Sequence, residues 1–402
     1  MYKFADRVYE MRASADVVRG LYNSMTTPGL ISFGGGAPAN ETLPIEILNR
    51  IASSVFTVDG KGITALQYGK PDGTMDLRET INRQLIRPYG LNVDTEKNIF
   101  VTGGGMEGIY IVCQLFINPG DVILVEAPTF VQSAEVFEMF QAKCIACDMD
   151  ENGLIVDGIE EKIKKYNPKM IYTIPTFHNP TGRTLSKDRR IKLASIAKEY
   201  NTLVFEDDPY KDLRYSGEEL LPIKAYDTCD NVISGFSFSK IFAPGARLGY
   251  LIAHEDIIER AFDIKTATNS HTTMISQVLC NEFFEQGYFD EHLQKLRDLY
   301  RGRRDAMVDS IVKFFPEGTN YTSPDGGLFT WAELPGDIDT GEILEEAVTK
   351  FNVAYLPGEK FFTEGNGKGK NCIRLSFGNV KEEDIYSGME KLGNFIKSKL
   401  QK

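Results

Sequence analysis

The chain lacks several features that would each have fixed its class. No apolar run in its 402 residues approaches the ~18 needed to cross a bilayer. The first twenty residues, MYKFADRVYEMRASADVVRG, carry charge throughout and have no apolar centre of the signal-peptide kind. The formal charge is −12, with no basic arm or run to offset it, which argues against a nucleic-acid footprint. A small anionic ligand would therefore need a local pocket of arginine or backbone amides. Six cysteines in a chain of this length do not make a disulfide framework. Cys144 and Cys147 form a CxxC, but AKCIACDMD reads as a strand, where residues three apart point to opposite faces. That placement suits neither a metal nor a redox pair, so no metal is expected. Internal repeats and low-complexity tracts are absent too. A cytoplasmic location is the expectation.

What is present is ordinary for a globular enzyme: 42% hydrophobic and 25% charged residues, with 36 Gly and 17 Pro. The length suggests a large domain plus a smaller one. Residues 12–27 have the spacing of an amphipathic helix through Val17, Val18, Leu21 and Met25. GLISFGGGAPANETLP follows, a short strand and a glycine- and proline-rich loop, and then a helix over 44–56. From residue 98 strands and helices alternate: NIFVT, DVILVE, AKCIACDM, KMIYTIP, TLVFED, NVISGFSF and LGYLIA are strands, with helical segments between most of them. Continuous Val/Ile/Leu strands alternating with helices predict a mostly parallel sheet covered on both faces. Ligands on such a sheet bind beyond the carboxyl ends of the strands. After about residue 255 the chain is helix-rich, with a long charged helix near 289–315. A small α+β portion follows, containing GGLFTWAELP, VAYLPGEKFF, NCIRLSFGN and a terminal helix from Lys381.

The organising stretch is SGFSFSKIFAPGARLGYLIA, residues 234–253. A lysine at the end of a buried strand is costly unless its amine has work to do, because desolvation lowers its pKa and frees the neutral, nucleophilic form. Lys240 is therefore a candidate Schiff-base lysine, with Ser237 and Ser239 beside it and Arg247 able to hold an anion. Alone, this is equally a solvated strand-end loop. The other strand ends supply complementary groups. Gly103, Gly104 and Gly105 open a helix after NIFVT, as a phosphate requires, although a glycine run is also a packing turn. Arg247 could pair bidentately with that phosphate. LVFEDDPY offers Glu206, Asp207 and Asp208 to keep a pyridine nitrogen protonated, of which Asp207 is the choice, with Tyr210 three residues on. Asn179 in FHNPTG offers a neutral donor, Phe130 in EAPTF an aromatic lid, and Arg374 in CIRLSFG a partner for an α-carboxylate or a structural ion pair.

Together GGGME, EAPTF, HNPTG, EDDPY and SFSKIFAPGARLGY resemble the fold-type I pyridoxal-phosphate aminotransferases of class I/II, nearest to the 2-aminoadipate, kynurenine and aromatic amino-acid subgroup. The resemblance implies an α/β large domain over 46–285 and a small domain made of 1–45 with 286–402. It implies pyridoxal 5′-phosphate (PLP) bound covalently by Lys240, which also shuttles the Cα proton. It places Asp207 at the pyridine nitrogen, Asn179 and Tyr210 at the phenolic oxygen, and Phe130 on the ring. Gly104, Gly105, Met106, Ser237, Ser239 and Arg247 would hold the phosphate, with Tyr68 reaching the phosphate of the neighbouring subunit in a homodimer. Arg374 would bind the α-carboxylate. Gly35 would line the substrate pocket, and Arg19 on the N-terminal helix would meet a distal carboxylate or remain a surface charge. The chain departs from relatives at Gly105, Met106 and Glu107, where serine and glutamines are frequent, so hydroxyl support for the phosphate is lost there. The implied reaction is ping-pong transfer of an amino group from an L-amino acid to a 2-oxo acid, with 2-oxoglutarate the expected acceptor. A β-lyase, decarboxylase or racemase would use the same groups. A ligand-sensing regulator on this fold would carry a DNA-binding domain ahead of it, for which Phe33 and the triple glycine come too early.

Overall fold

The computed structural model describes residues 2–5, 7–8, 28–57 and 59–400. The helix expected over 12–27, and Arg19 on it, lie outside these residues.

The central sheet has eight strands. In chain order these are β2 (Ile99–Thr102), β3 (Val122–Ala127), β4 (Lys143–Asp150), β5 (Gly153–Leu154), β6 (Met170–Thr173), β7 (Leu203–Asp207), β8 (Val232–Ser237) and β9 (Gly249–Ile252), β1 being the short strand Ile31–Ser32 elsewhere. Their spatial order is β2-β9-β8-β7-β6-β3-β4-β5. The block β8-β7-β6-β3-β4 is parallel throughout, as the apolar runs predict. β9 runs antiparallel to both β2 and β8, and β5 antiparallel to β4, which the runs did not reveal.

Strand alternation divides the core into layers. On β7, Val204 faces one cluster with Ile159, Ile163, Leu193 and Ala194, while Phe205 faces the other with Ile109, Val112, Phe137 and Ile258. Helices Ile159–Tyr166 and Lys187–Glu199 thus cover one face. Helices Gly105–Phe116, Val131–Met139 and Glu255–Thr268 cover the opposite one. Burying both faces stabilises the sheet at roughly 25 cal/mol per Å² of apolar surface, and it leaves the strand ends as the accessible polar edge. Cys144 and Cys147 lie on β4, where burial pushes both thiols up to about 12.

A second, antiparallel sheet orders β10 (Asn320–Tyr321), β11 (Phe329–Glu333), β14 (Cys372–Ser376) and β13 (Leu356–Pro357). β1 pairs in parallel with β12 (Val353–Ala354). The largest apolar cluster runs from Ile51, Leu77 and Ile99 through Phe238 and Phe283 to Leu328, Ile373 and Leu392, and so ties the second sheet to the first. Among the described residues no helix is long and apolar enough to cross a membrane.

Candidate active site

The expected residues converge at one edge of the central sheet. Gly103–Gly105 follow β2, Phe130 follows β3, Asn179 follows β6, Asp207 ends β7 with Tyr210 beyond it, and Ser239 and Lys240 follow β8. Arg247 joins them because β9 is antiparallel: its first residue, Gly249, pairs with Thr102 and Ser237 at that edge. Arg374 comes from β14 of the second sheet. Together with Gly35 and Gly36 these loops enclose a pocket of ≈ 580 Å³.

Lys240 lies at the pocket floor and donates through Nζ to the Gly36 carbonyl at 2.7 Å. Burial, reinforced by the Arg374 and Arg247 cations, brings its amine down to about 8. Such an amine is partly neutral near physiological pH, as a nucleophile must be.

The three acids at the carboxyl end of β7, Glu206, Asp207 and the next residue Asp208, separate by alternation. Glu206 accepts from the amides of Ile223 (2.7 Å) and Lys224 (3.1 Å) and from Ser234 Oγ (2.5 Å), and so ties down the turn at 223–226. Asp208 accepts from Thr176 Oγ1 at 2.9 Å, in the field of the buried Arg190. Asp207 alone of the three lines the pocket. Its Oδ2 accepts from the hydroxyl of Tyr172 at 2.8 Å. Burial raises Asp207 to about 6, against the opposing effect of that hydrogen bond.

Arg374 is buried between Asn179, whose Oδ1 it reaches at 3.0 Å, and the carbonyl of Gly34. Its guanidinium carbon lies 4.4 Å from the Phe329 ring centre and 5.3 Å from that of Phe361. Burial lowers it to about 10, with Tyr210 acting in the other direction. Its Nε has no hydrogen-bond partner among the described residues. The Tyr210 hydroxyl is pushed up by burial. Phe130 forms part of the wall.

At the other end, Gly104 caps the helix Gly105–Phe116 with φ +95°. The backbone angle favours glycine there, and a Cβ would lie 2.6 Å from Arg247 Nη2, so the guanidinium would have to move aside. Gly104 itself does not line the pocket, whereas Gly105, Met106, Ser237, Ser239 and Arg247 do. Ser237 Oγ accepts from the Ser239 amide at 3.2 Å. Helix-start amides beside an arginine and two hydroxyls form an anion cradle.

Tyr68 is absent from this group. It is 84% exposed and makes an edge-on contact with His271 at 5.7 Å. Sequence reasoning passed over Tyr172, whose signal was a hydroxyl-bearing aromatic on a fully buried strand, a residue that must find a partner. It passed over Val131, Gln132, Leu356 and Phe361 in the wall as well, and their residue types carry no such signal.

Residues 29–392 match the family of aminotransferases, class I and II, and the chain belongs to it. It is 38% identical to the aromatic-amino-acid aminotransferase 1 of Thermococcus litoralis over 99% of this chain and 95% of that one. It superposes with TM-score 0.93 and 38% identity on the kynurenine aminotransferase of Pyrococcus horikoshii solved with PMP, covering 99% of this chain and 97% of that one. The α-aminoadipate aminotransferase of Thermus thermophilus, complexed with N-(5′-phosphopyridoxyl)-L-leucine, gives TM-score 0.89 and 30% identity over 99% and 98% of the two chains. The chain is thus a PLP-dependent aminotransferase of fold type I. The pocket fits that cofactor on its own terms. It offers a buried amine on Lys240, a buried carboxylate on Asp207 with no cation bonded to it among the described residues, and an anion cradle at Gly105 and Arg247.

Proposed function

We propose that this chain moves the amino group of an L-amino acid with an aromatic, branched or 2-aminoadipate side chain to a 2-oxo acid such as 2-oxoglutarate, in two half-reactions on one site. The observation that carries the reading is the enclosure of Lys240, Asp207 and Arg374 in one pocket, with the lysine brought down to about 8. PLP, when bound, supplies the carbonyl that takes the amino group and an electron sink for the broken Cα–H bond.

The chain's own groups do the rest. Lys240 would hold the cofactor through its Nζ, and as a neutral amine it would move the proton at the substrate Cα. Asp207, fixed by Tyr172, keeps a proton on the ring nitrogen. Asn179 and Tyr210 hold the phenolic oxygen, and Phe130 covers the ring face. Arg374 would orient the substrate by its α-carboxylate, which would take the place of neutral partners such as the Gly34 carbonyl. Gly105, Met106, Ser237, Ser239 and Arg247 take the phosphate, with Gly104 shaping the loop. The wall of Val131, Leu356 and Phe361 supports an apolar or aromatic donor. A dicarboxylic substrate calls on Arg19 for its far end.

We place 46–285 as the cofactor-carrying domain, and 1–45 with 286–402 as the smaller one. The exposed Tyr68 supports a homodimer in which it serves the neighbouring subunit's site. The acidic charge and the absence of a membrane-crossing helix among the described residues agree with a cytoplasmic enzyme of amino-acid metabolism, without nucleic acid or membrane as partners.

The test is the absorption spectrum of the PLP-loaded protein as single amino acids are added. Loss of the visible band with aromatic or 2-aminoadipate donors, and its return with 2-oxoglutarate, supports transamination. Decay with ammonia release and no return identifies a lyase instead. Lys240→Ala should abolish turnover, and near-normal activity in that variant rejects the mechanism.

A further inference from the structure

Glu107 stands in the first turn of the helix whose opening amides form the anion cradle, where a carboxylate would oppose a bound phosphate. The structure shows what becomes of its charge. Glu107 accepts from Lys265 Nζ, from Asn269 Nδ2 at 2.6 Å and from the amide of Gly103. Lys265 is fully buried on the helix Glu255–Thr268, 158 residues further along the chain. The carbonyl of the same Gly103 accepts from Arg247 Nη2 at 3.4 Å. Two charged groups of opposite sign therefore hold the two ends of one glycine, and that glycine leads into Gly104 and Gly105. Gly103 and Gly105 have no side chain with which to hold an anion or fix the loop.

We propose that Glu107 and Lys265 are a positioning pair for the cofactor's phosphate: Glu107 fixes the loop through the Gly103 amide, and Lys265 cancels the negative charge this brings beside the phosphate. The inference rests on the reading of the pocket as a PLP site. A buried lysine is costly without a partner, and a carboxylate stripped of its partner keeps its charge and acts on neighbouring groups through a poorly screened interior. The departure at Gly105, Met106 and Glu107 thus has its complement in Lys265, and the two halves depend on each other.

The experiment compares binding of PLP and of pyridoxal, which lacks the phosphate, by equilibrium dialysis at pH 8 on apoprotein. Lys265→Met leaves Glu107 uncompensated, and it should weaken PLP about tenfold or more while pyridoxal affinity stays within about twofold. The double variant Glu107→Gln/Lys265→Met carries neither charge and should regain most of that loss. Glu107→Ala removes the acceptor that holds the Gly103 amide, and it should weaken PLP about threefold or more while pyridoxal affinity stays within about twofold. A purely structural role predicts equal weakening of both ligands and no rescue, and either result overturns the inference. Unchanged PLP binding in Glu107→Ala, or equal weakening of PLP and pyridoxal, overturns it independently, should Lys265→Met fail to fold. A wild type that binds PLP no better than pyridoxal would overturn the reading of the pocket and the inference with it.

Discussion

Replacing Asp207 by Asn should make the empty protein more stable and the loaded enzyme worse. Folded Asp207 holds its proton up to about 6, whereas an ordinary aspartate releases it near 3.8. Across that window the native state binds more protons than the unfolded one, so this group's contribution to stability falls as pH rises from about 4 to 6 and stays lost above. A gap of about two pH units corresponds to on the order of 2–3 kcal/mol, an upper figure because water enters the pocket. Asn cannot ionise, and its Oδ1 can still accept from Tyr172. At pH 8 the apo form of Asp207→Asn should therefore melt a few degrees above wild type. At pH 4.5 most of that difference should vanish, since the wild-type carboxyl is then largely neutral. In the loaded enzyme the sign reverses, because the carboxylate now faces a cationic ring nitrogen and its burial is compensated. The variant should bind PLP less tightly and turn over on the order of 10²-fold more slowly. Calorimetric melting of apo and loaded forms at the two pH values reads the stabilities, and a steady-state assay reads the turnover. An apo variant that melts no higher than wild type at pH 8, or a difference that persists undiminished at pH 4.5, refutes the argument.

Three further outcomes are expected. The rate at which apoprotein takes up PLP should rise with pH through a midpoint near 8, because neutral Lys240 is required. Arg374→Met should raise that midpoint, since a repelling cation is gone, and a rate independent of pH in stopped-flow loading would reject it. Arg19→Met should raise KM for 2-aminoadipate and 2-oxoglutarate about tenfold or more while sparing aromatic donors, and an equal change for all substrates would return Arg19 to the surface. Mixing Lys240→Ala with Tyr68→Ala subunits should recover about a quarter of wild-type activity, as half the dimers would then hold one intact site of two. No gain over either parent would remove Tyr68 from its neighbour's site.

Much of this architecture is written locally. Apolar strands such as KMIYTIP and NVISGFSF declare themselves by composition, and the parallel block they form places Phe130, Asn179, Asp207 and Lys240 at one edge. Strand direction is not local. Nothing in LGYLIA shows that it runs against its neighbours, yet that reversal is what returns Arg247 to the Gly103–Gly105 loop. The choice among Glu206, Asp207 and Asp208 is equally a matter of facing. Alternation sends the first and third into structural hydrogen bonds with Ser234 and Thr176, and only the second into the pocket.

Residues that act through other residues were the least legible, and the reason is physical. Tyr172 looks like one more apolar residue of its strand until the hydroxyl is found on Asp207, 35 residues away. Lys265 is harder still, because it sits in EDIIERAFDIKTAT, where alternating charge suggests a solvated helix face. Only burial distinguishes it from Arg260 on the same helix, which meets water. Once it is known to be buried, its partner is dictated: desolvation makes a lone ammonium untenable, and Glu107 is the carboxylate it meets. The unusual acid at the phosphate loop and the unusual lysine under the helix are therefore one feature, divided between two places in the chain. A substitution at either position should be judged by what it does to the other.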